Sequence, residues 1–158
     1  MPGRRNLALV VFLSFVLIGV AGGSDDVSMV YADNLRQEAQ QAREHSLVLM
    51  IEFSSADCPY CRELEEEFLL PMQRNAGYRQ KVLIRAVSLD GQEPIVDFNG
   101  ESISPSRFAS RYQVMVTPTL IFVDAEGKRM SEDLVGIWSK DYFGGYTDAR
   151  IDEAIAKL

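Results

Sequence analysis

The sequence predicts an α/β fold in which a mixed central sheet is flanked by helices. Three observations carry that expectation. The run Leu47-Val48-Leu49-Met50-Ile51 leads through Glu52 to Phe53, and near-continuous apolar character suits a central strand covered on both faces. Helical and strand patterns then alternate along the chain, which layers helices around one sheet. Finally, Thr119–Asp124 (TLIFVD) turns at Ala125-Glu126-Gly127-Lys128 into Arg129–Val135. That reads as an antiparallel hairpin and makes the sheet mixed.

The chain has 158 residues, 47% hydrophobic and 25% charged, with a net charge of −7. This is the size of one domain, here residues 24–158, plus a short appendage. An acidic body without a Lys/Arg cluster argues against nucleic acid or an anionic membrane surface as partner. Two cysteines are too few for a disulfide-stapled scaffold, and their C-x-x-C spacing is that of a redox pair.

Residues 1–23 read as an export signal: Arg4-Arg5, an apolar core from Leu7 to Val20, and the small residues Ala21-Gly22-Gly23. Cleavage is expected after Ala21 or Gly23. The alternative is an uncleaved anchor, but a helix of that core spans only ~21 Å of a ~30 Å hydrocarbon layer. The arginine pair suggests twin-arginine export, although its flanks match poorly. The destination is an oxidising compartment, most simply a bacterial periplasm.

Asp33 or Asn34 can cap a helix running to about His45, with Leu35, Ala39 and Ala42 on one face. His45, the only histidine, falls at its C-terminus, where a cation is favourable. The strand Leu47–Phe53 follows. After the cysteines, RELEEEFLLP reads as a helix with Leu64, Phe68 and Leu69 inward, Glu63, Glu65, Glu66 and Glu67 toward water, and Pro71 ending or kinking it. Lys81–Leu89 is a second strand. Residues 91–105 form a turn-rich connection, with Asn99-Gly100 a candidate hairpin turn. A short helix from Ser104 or Ser106 reaches Tyr112. A last helix is expected from Thr147 to Leu158, with Ile151, Ala154, Ile155 and Leu158 on one stripe and Gly144-Gly145 a break before it.

Chemistry concentrates at Cys58-Pro59-Tyr60-Cys61. Cys58 falls at a helix N-terminus, where backbone N–H groups and the helix dipole favour a thiolate. It is the candidate nucleophile, and Cys61 is the candidate resolving thiol. Glu52 lies six residues before Cys58. A carboxyl inside an apolar strand holds its proton above the usual range and can serve as a base for Cys61. An edge position, where Glu52 merely reaches solvent, is the alternative. Pro118 interrupts the strand-like run VMVTPTLIF; a cis bond is the usual solution for such a proline, and a trans turn the alternative.

On these residues the chain resembles the thioredoxin superfamily, most closely exported thioredoxin-like thiol–disulfide oxidoreductases, including those associated with bacterial sulfur oxidation. The resemblance runs from about Asp33 to Leu158. It rests on Glu52, Cys58-Pro59-Tyr60-Cys61, Thr117-Pro118-Thr119 and the hairpin ending at Gly136, in that order. It implies a thioredoxin-like fold and a monomer with no cofactor and no metal. It further implies that Glu52 sits beneath the cysteines and that a cis-proline at Pro118 packs beside them. Thr117, Pro118, Pro59 and Tyr60 become the substrate-binding residues. The implied partners are proteins with disulfides or thiols and a membrane thiol electron donor, and the implied direction is reduction. An oxidase of the same fold and a module carrying a soft metal such as Cu(I) are the alternatives. Two features depart from the family: Asp57 stands where thioredoxins carry tryptophan, and the connection 91–105 is an insertion.

Overall fold

The computed structural model describes residues 28–158, so the export segment expected at residues 1–23 lies outside them. Helix α1 (Leu35–His45) starts where the Asn34 side chain accepts the Gln37 N–H, and it buries Leu35, Ala39 and Ala42. Strand β1 (Val48–Ser54) is buried along its whole length. It pairs in parallel with β2 (Val82–Ser88) and antiparallel with β5 (Thr119–Val123). β5 in turn pairs antiparallel with β6 (Leu134–Val135), giving the order β2-β1-β5-β6.

Period-two alternation splits β1 between two layers. Leu49, Ile51 and Phe53 pack with Leu35, Ala42, Phe108 and Tyr112 on one side. Val48 and Met50 pack with Leu64, Leu69, Phe122, Phe143 and Ile151 on the other. Cover on both faces is why the strand carries no polar alternation. Glu52 shares the second face by the same alternation.

The segment before α1 runs along the outer edge of β2. Tyr31 bridges Ala86 in parallel, the Ala86 N–H donates to the Val30 carbonyl at 2.9 Å, and the Ala32 N–H to the Ala86 carbonyl at 2.8 Å. After β2, the connection 91–105 folds as expected into a small hairpin, β3 (Ile95–Val96) with β4 (Ser102–Ile103). The Asp97 carboxylate accepts the N–H groups of Asn99 and Glu101 and pairs with Arg111 on α5 (Pro105–Arg111). These contacts hold the carboxyl below its usual range against the opposing effect of burial.

Three expectations need correction. Pro71 does not end its helix: α2 (Pro59–Leu64) passes through a π-helical turn at Glu65–Leu69 into α3 (Leu70–Arg74). Pro71 has no N–H to give, and the turn before it widens so that the Leu70 N–H reaches the Glu65 carbonyl. A short α4 (Ala76–Arg79) follows, capped by Asn75.

The terminal helix, α6 (Lys140–Ile155), starts before Thr147 and contains Gly144-Gly145. Each glycine costs about 1 kcal/mol in a helix, but the turns on either side are pinned. Phe143 packs on Phe68 with ring centroids 4.9 Å apart, and the Thr147 hydroxyl donates to the Phe143 carbonyl at 2.9 Å. The buried stripe is Phe143, Thr147, Ile151 and Ala154; Leu158, beyond the helix end, is exposed. Lastly, the partner of β5 is shorter than Arg129–Val135. Only β6 and an isolated bridge from Val123 to Arg129 form there.

Candidate active site

Cys58 caps α2. Its sulfur accepts the Cys61 N–H at 3.1 Å, and the two cysteines form a disulfide with their Cα atoms 5.2 Å apart. The preceding loop is held at its backbone: the Ala56 N–H donates to Asp90 at 2.9 Å, and the Cys58 N–H to the Ser55 carbonyl at 3.3 Å. Asp90 is kept ionised by the Ser88 hydroxyl and then by that Ala56 N–H, which hold it below its usual range. Cys58 is 8% exposed and Cys61 1%, so Cys58 is the less covered of the pair. The helix hides Cys61 behind it.

Glu52 is fully buried, with no hydrogen-bond partner at either carboxyl oxygen. Burial first, and then the charge of Glu65, push its pKa from an ordinary 4.5 up to about 9. At neutral pH it therefore carries its proton. Its neighbours across the sheet are Ala86 and Leu120, so the alternative of an edge position does not apply.

Thr117-Pro118 is a cis peptide, with Pro118 buried. The Thr117 and Ser55 hydroxyls lie 3.2 Å apart, which ties this loop to the cysteine loop. The Pro118 carbonyl accepts the Gly136 N–H at 2.8 Å. Among the described residues, neither the N–H nor the C=O of Thr117 has a backbone partner. Pro59 and Tyr60 project outward, Tyr60 61% exposed, and Met115 and Val116 are exposed beside Thr117. Tyr60 and the Met115–Thr117 loop thus leave apolar surface and open backbone groups at one end of the sheet. Among the described residues, no three His, Cys, Asp or Glu side chains are gathered as a metal ion requires.

Two side chains at the site were not singled out from sequence. Glu65, expected to face water, is only half-exposed and turns back toward the sheet. Its Oε1 accepts the Tyr31 hydroxyl at 2.9 Å and the Ser54 hydroxyl at 3.3 Å. The usable signal was the i, i+4 spacing from Cys61, which puts Glu65 on the same helical face. Tyr31 stands in a segment without periodicity, and no sequence signal marked it. Burial, and then the bond to Glu65, push its phenol up to about 12.

Residues 35–150 match the family of the thioredoxin-like domain. The chain belongs to that family, and with its Cys58–Cys61 pair it is a thioredoxin-like thiol–disulfide oxidoreductase. No curated relative matches. Among solved structures it is similar to thioredoxin O2 from Arabidopsis thaliana in its oxidised state: 20% identity, 77% of this chain and 93% of that one covered, TM-score 0.54. It is likewise similar to a DsbH oxidoreductase, at 12% identity, 99% and 96% coverage and TM-score 0.54. A weaker likeness is to the periplasmic thioredoxin SoxS from Paracoccus pantotrophus, at 15% identity, 68% and 98% coverage and TM-score 0.47. At these identities the first two likenesses speak for the fold alone.

Proposed function

We propose that this chain is an exported, periplasmic protein thiol–disulfide reductase, acting as a monomer after loss of residues 1–23. A membrane thiol carrier would recharge it. The observation that carries the reading is a disulfide between Cys58 and the more deeply buried Cys61, on a helix that covers the face of β1 where Glu52 lies buried without a hydrogen-bond partner.

In the reduced protein, Cys58 as thiolate attacks one sulfur of a substrate disulfide, and the other sulfur leaves as a thiolate. The Cys61 thiol then attacks Cys58 in the mixed disulfide. Glu52, once it has released its own proton, takes that of Cys61, and the second substrate sulfur departs with its electron pair. The products are a substrate dithiol and the Cys58–Cys61 disulfide. Thr117 offers its open N–H and C=O to an extended substrate segment, in the manner of an added strand. Pro59, Tyr60 and the exposed Met115 supply the apolar rim, and the buried Pro118 backs it.

Negative charge favours this direction. Asp57 beside Cys58, and Glu65 near Glu52, both oppose a thiolate, and a pair that holds its thiolate poorly gives up electrons readily. The potential should therefore lie toward the reducing end of the superfamily, nearer about −270 than −120 mV.

The test uses purified protein with insulin and dithiothreitol. Catalysed precipitation of the insulin chains is expected, and Cys61→Ser should trap mixed disulfides that Cys58→Ser does not. Equal trapping by both variants would sink the nucleophile assignment. A potential near −120 mV would reverse the direction.

A further inference from the structure

Glu52 sits in a row of side chains that crosses the sheet. Tyr31 bridges Ala86, Ala86 pairs with Glu52, and Glu52 pairs with Leu120. Residues in such a row point to one face, here the face under the cysteine helix. Ala86, the smallest of the four, lies between Tyr31 and Glu52 in this row. Glu65, on the π-helical turn, is anchored at Oε1 by the Tyr31 hydroxyl and by the hydroxyl of Ser54, two residues along β1 from Glu52 on the same face. Oε1 thus accepts two hydroxyl donors, and Oε2 has no such anchor.

From this geometry we infer that Glu65 passes the proton of Glu52 between the buried site and solvent, with Tyr31 and Ser54 as the residues that position it. The inference rests on the proposed thiol chemistry. Cys61 gives up one proton in resolving the mixed disulfide, and Glu52 can take it only after releasing its own. Neither oxygen of Glu52 has a hydrogen-bonded partner to receive that proton. Around Glu52, the flanking strands present Ala86 and Leu120, which do not titrate. The N-terminal segment presents Tyr31, and the helical segment that follows the cysteines presents Glu65. Arg85, the nearest cation along β2, is engaged with Glu38 at 2.7 Å, on the face of the sheet covered by α1. Among the described residues, Glu65 is the carboxylate that acts on Glu52 and so is placed to receive the proton, and the half-exposed Tyr31 bonded to it marks the way out. The net step moves one proton from Cys61 through Glu52 and Glu65 to water, while the sulfurs exchange partners.

The test compares native protein with Glu65→Gln, Tyr31→Phe and, as a control outside the network, the exposed Glu66→Gln. Two readouts are taken across pH: alkylation of reduced Cys58, and single-turnover reduction of insulin. Glu65→Gln should lower the Glu52-linked inflection by about one pH unit, because a like charge is removed. It should also slow resolution near pH 7 by about tenfold. Tyr31→Phe should slow resolution in the same pH range, and Glu66→Gln should change neither readout. Profiles of Glu65→Gln or Tyr31→Phe that superimpose on the native one overturn the relay, even where stability has fallen. If Glu65→Gln does not fold, Tyr31→Phe decides alone. If the native protein fails to reduce insulin, the reductase reading falls, and the alkylation profile still decides the part played by Glu65.

Discussion

Replacing Glu52 by glutamine should stabilise the protein, and by an amount that grows with pH. An unfolded chain releases this carboxyl proton near the ordinary pKa of 4.5, whereas the folded chain keeps it until about 9. Below 4.5 both states are protonated and the site is neutral toward stability. Between the two values the folded state binds the extra proton, so stability falls as pH rises. At pH 7, two and a half units above the lower value, the penalty is about 3 kcal/mol at ~1.4 kcal/mol per unit. By pH 9 it is about 6 kcal/mol.

Glutamine has no proton to lose and escapes that slope. Oxidised Glu52→Gln should therefore match native protein in urea unfolding near pH 4.5 and exceed it by about 3 kcal/mol at pH 7. The gap should widen further toward pH 9. Turnover should fall at the same time, because the base for Cys61 is gone. Parallel stability-versus-pH curves for the two proteins would refute the reasoning, since they would mean that Glu52 ionises in the fold as it does in water.

Two further substitutions test the surroundings of the site. Met115→Asp, at a side chain 88% exposed on the proposed substrate rim, should weaken reduction of insulin while leaving stability within ~0.5 kcal/mol and Cys58 alkylation unchanged. An equal loss in alkylation would place the effect on the thiol itself. Gly127→Ala should destabilise by more than ~2 kcal/mol in urea unfolding. Gly127 has φ +76°, and an added Cβ would meet a Phe98 ring carbon at 2.5 Å and the Tyr112 hydroxyl at 2.7 Å. A loss under ~1 kcal/mol would show that those rings yield easily.

The parts of the fold legible in the sequence were those where local pattern and tertiary environment agree. β1 read as a covered central strand because both of its faces are apolar, and Asn34 announced α1 through its capping side chain. The cysteine pair, Glu52 and Thr117-Pro118 were visible because each is an odd residue for its local setting. Legibility failed where packing overrides propensity. Gly144-Gly145 looked like a break, yet Phe143 and Thr147 hold the helix through it. Glu65 lay in a run of glutamates that looked uniformly solvated. The shorter of its two inward bonds comes from Tyr31, placed across β2 and 34 positions away in the chain. No local window contains both.

The segment that carries Tyr31 has a second consequence, for self-association. A sheet of four strands has two margins with unpaired N–H and C=O groups, each a template on which another chain can add. On one side β6 is only two residues long, too short to recruit a partner. On the other, residues 30–32 occupy the middle of β2 by bonding both backbone groups of Ala86. A chain shortened past Tyr31 would bare that margin. Its first symptom should be concentration-dependent aggregation, with the cysteine pair still able to react.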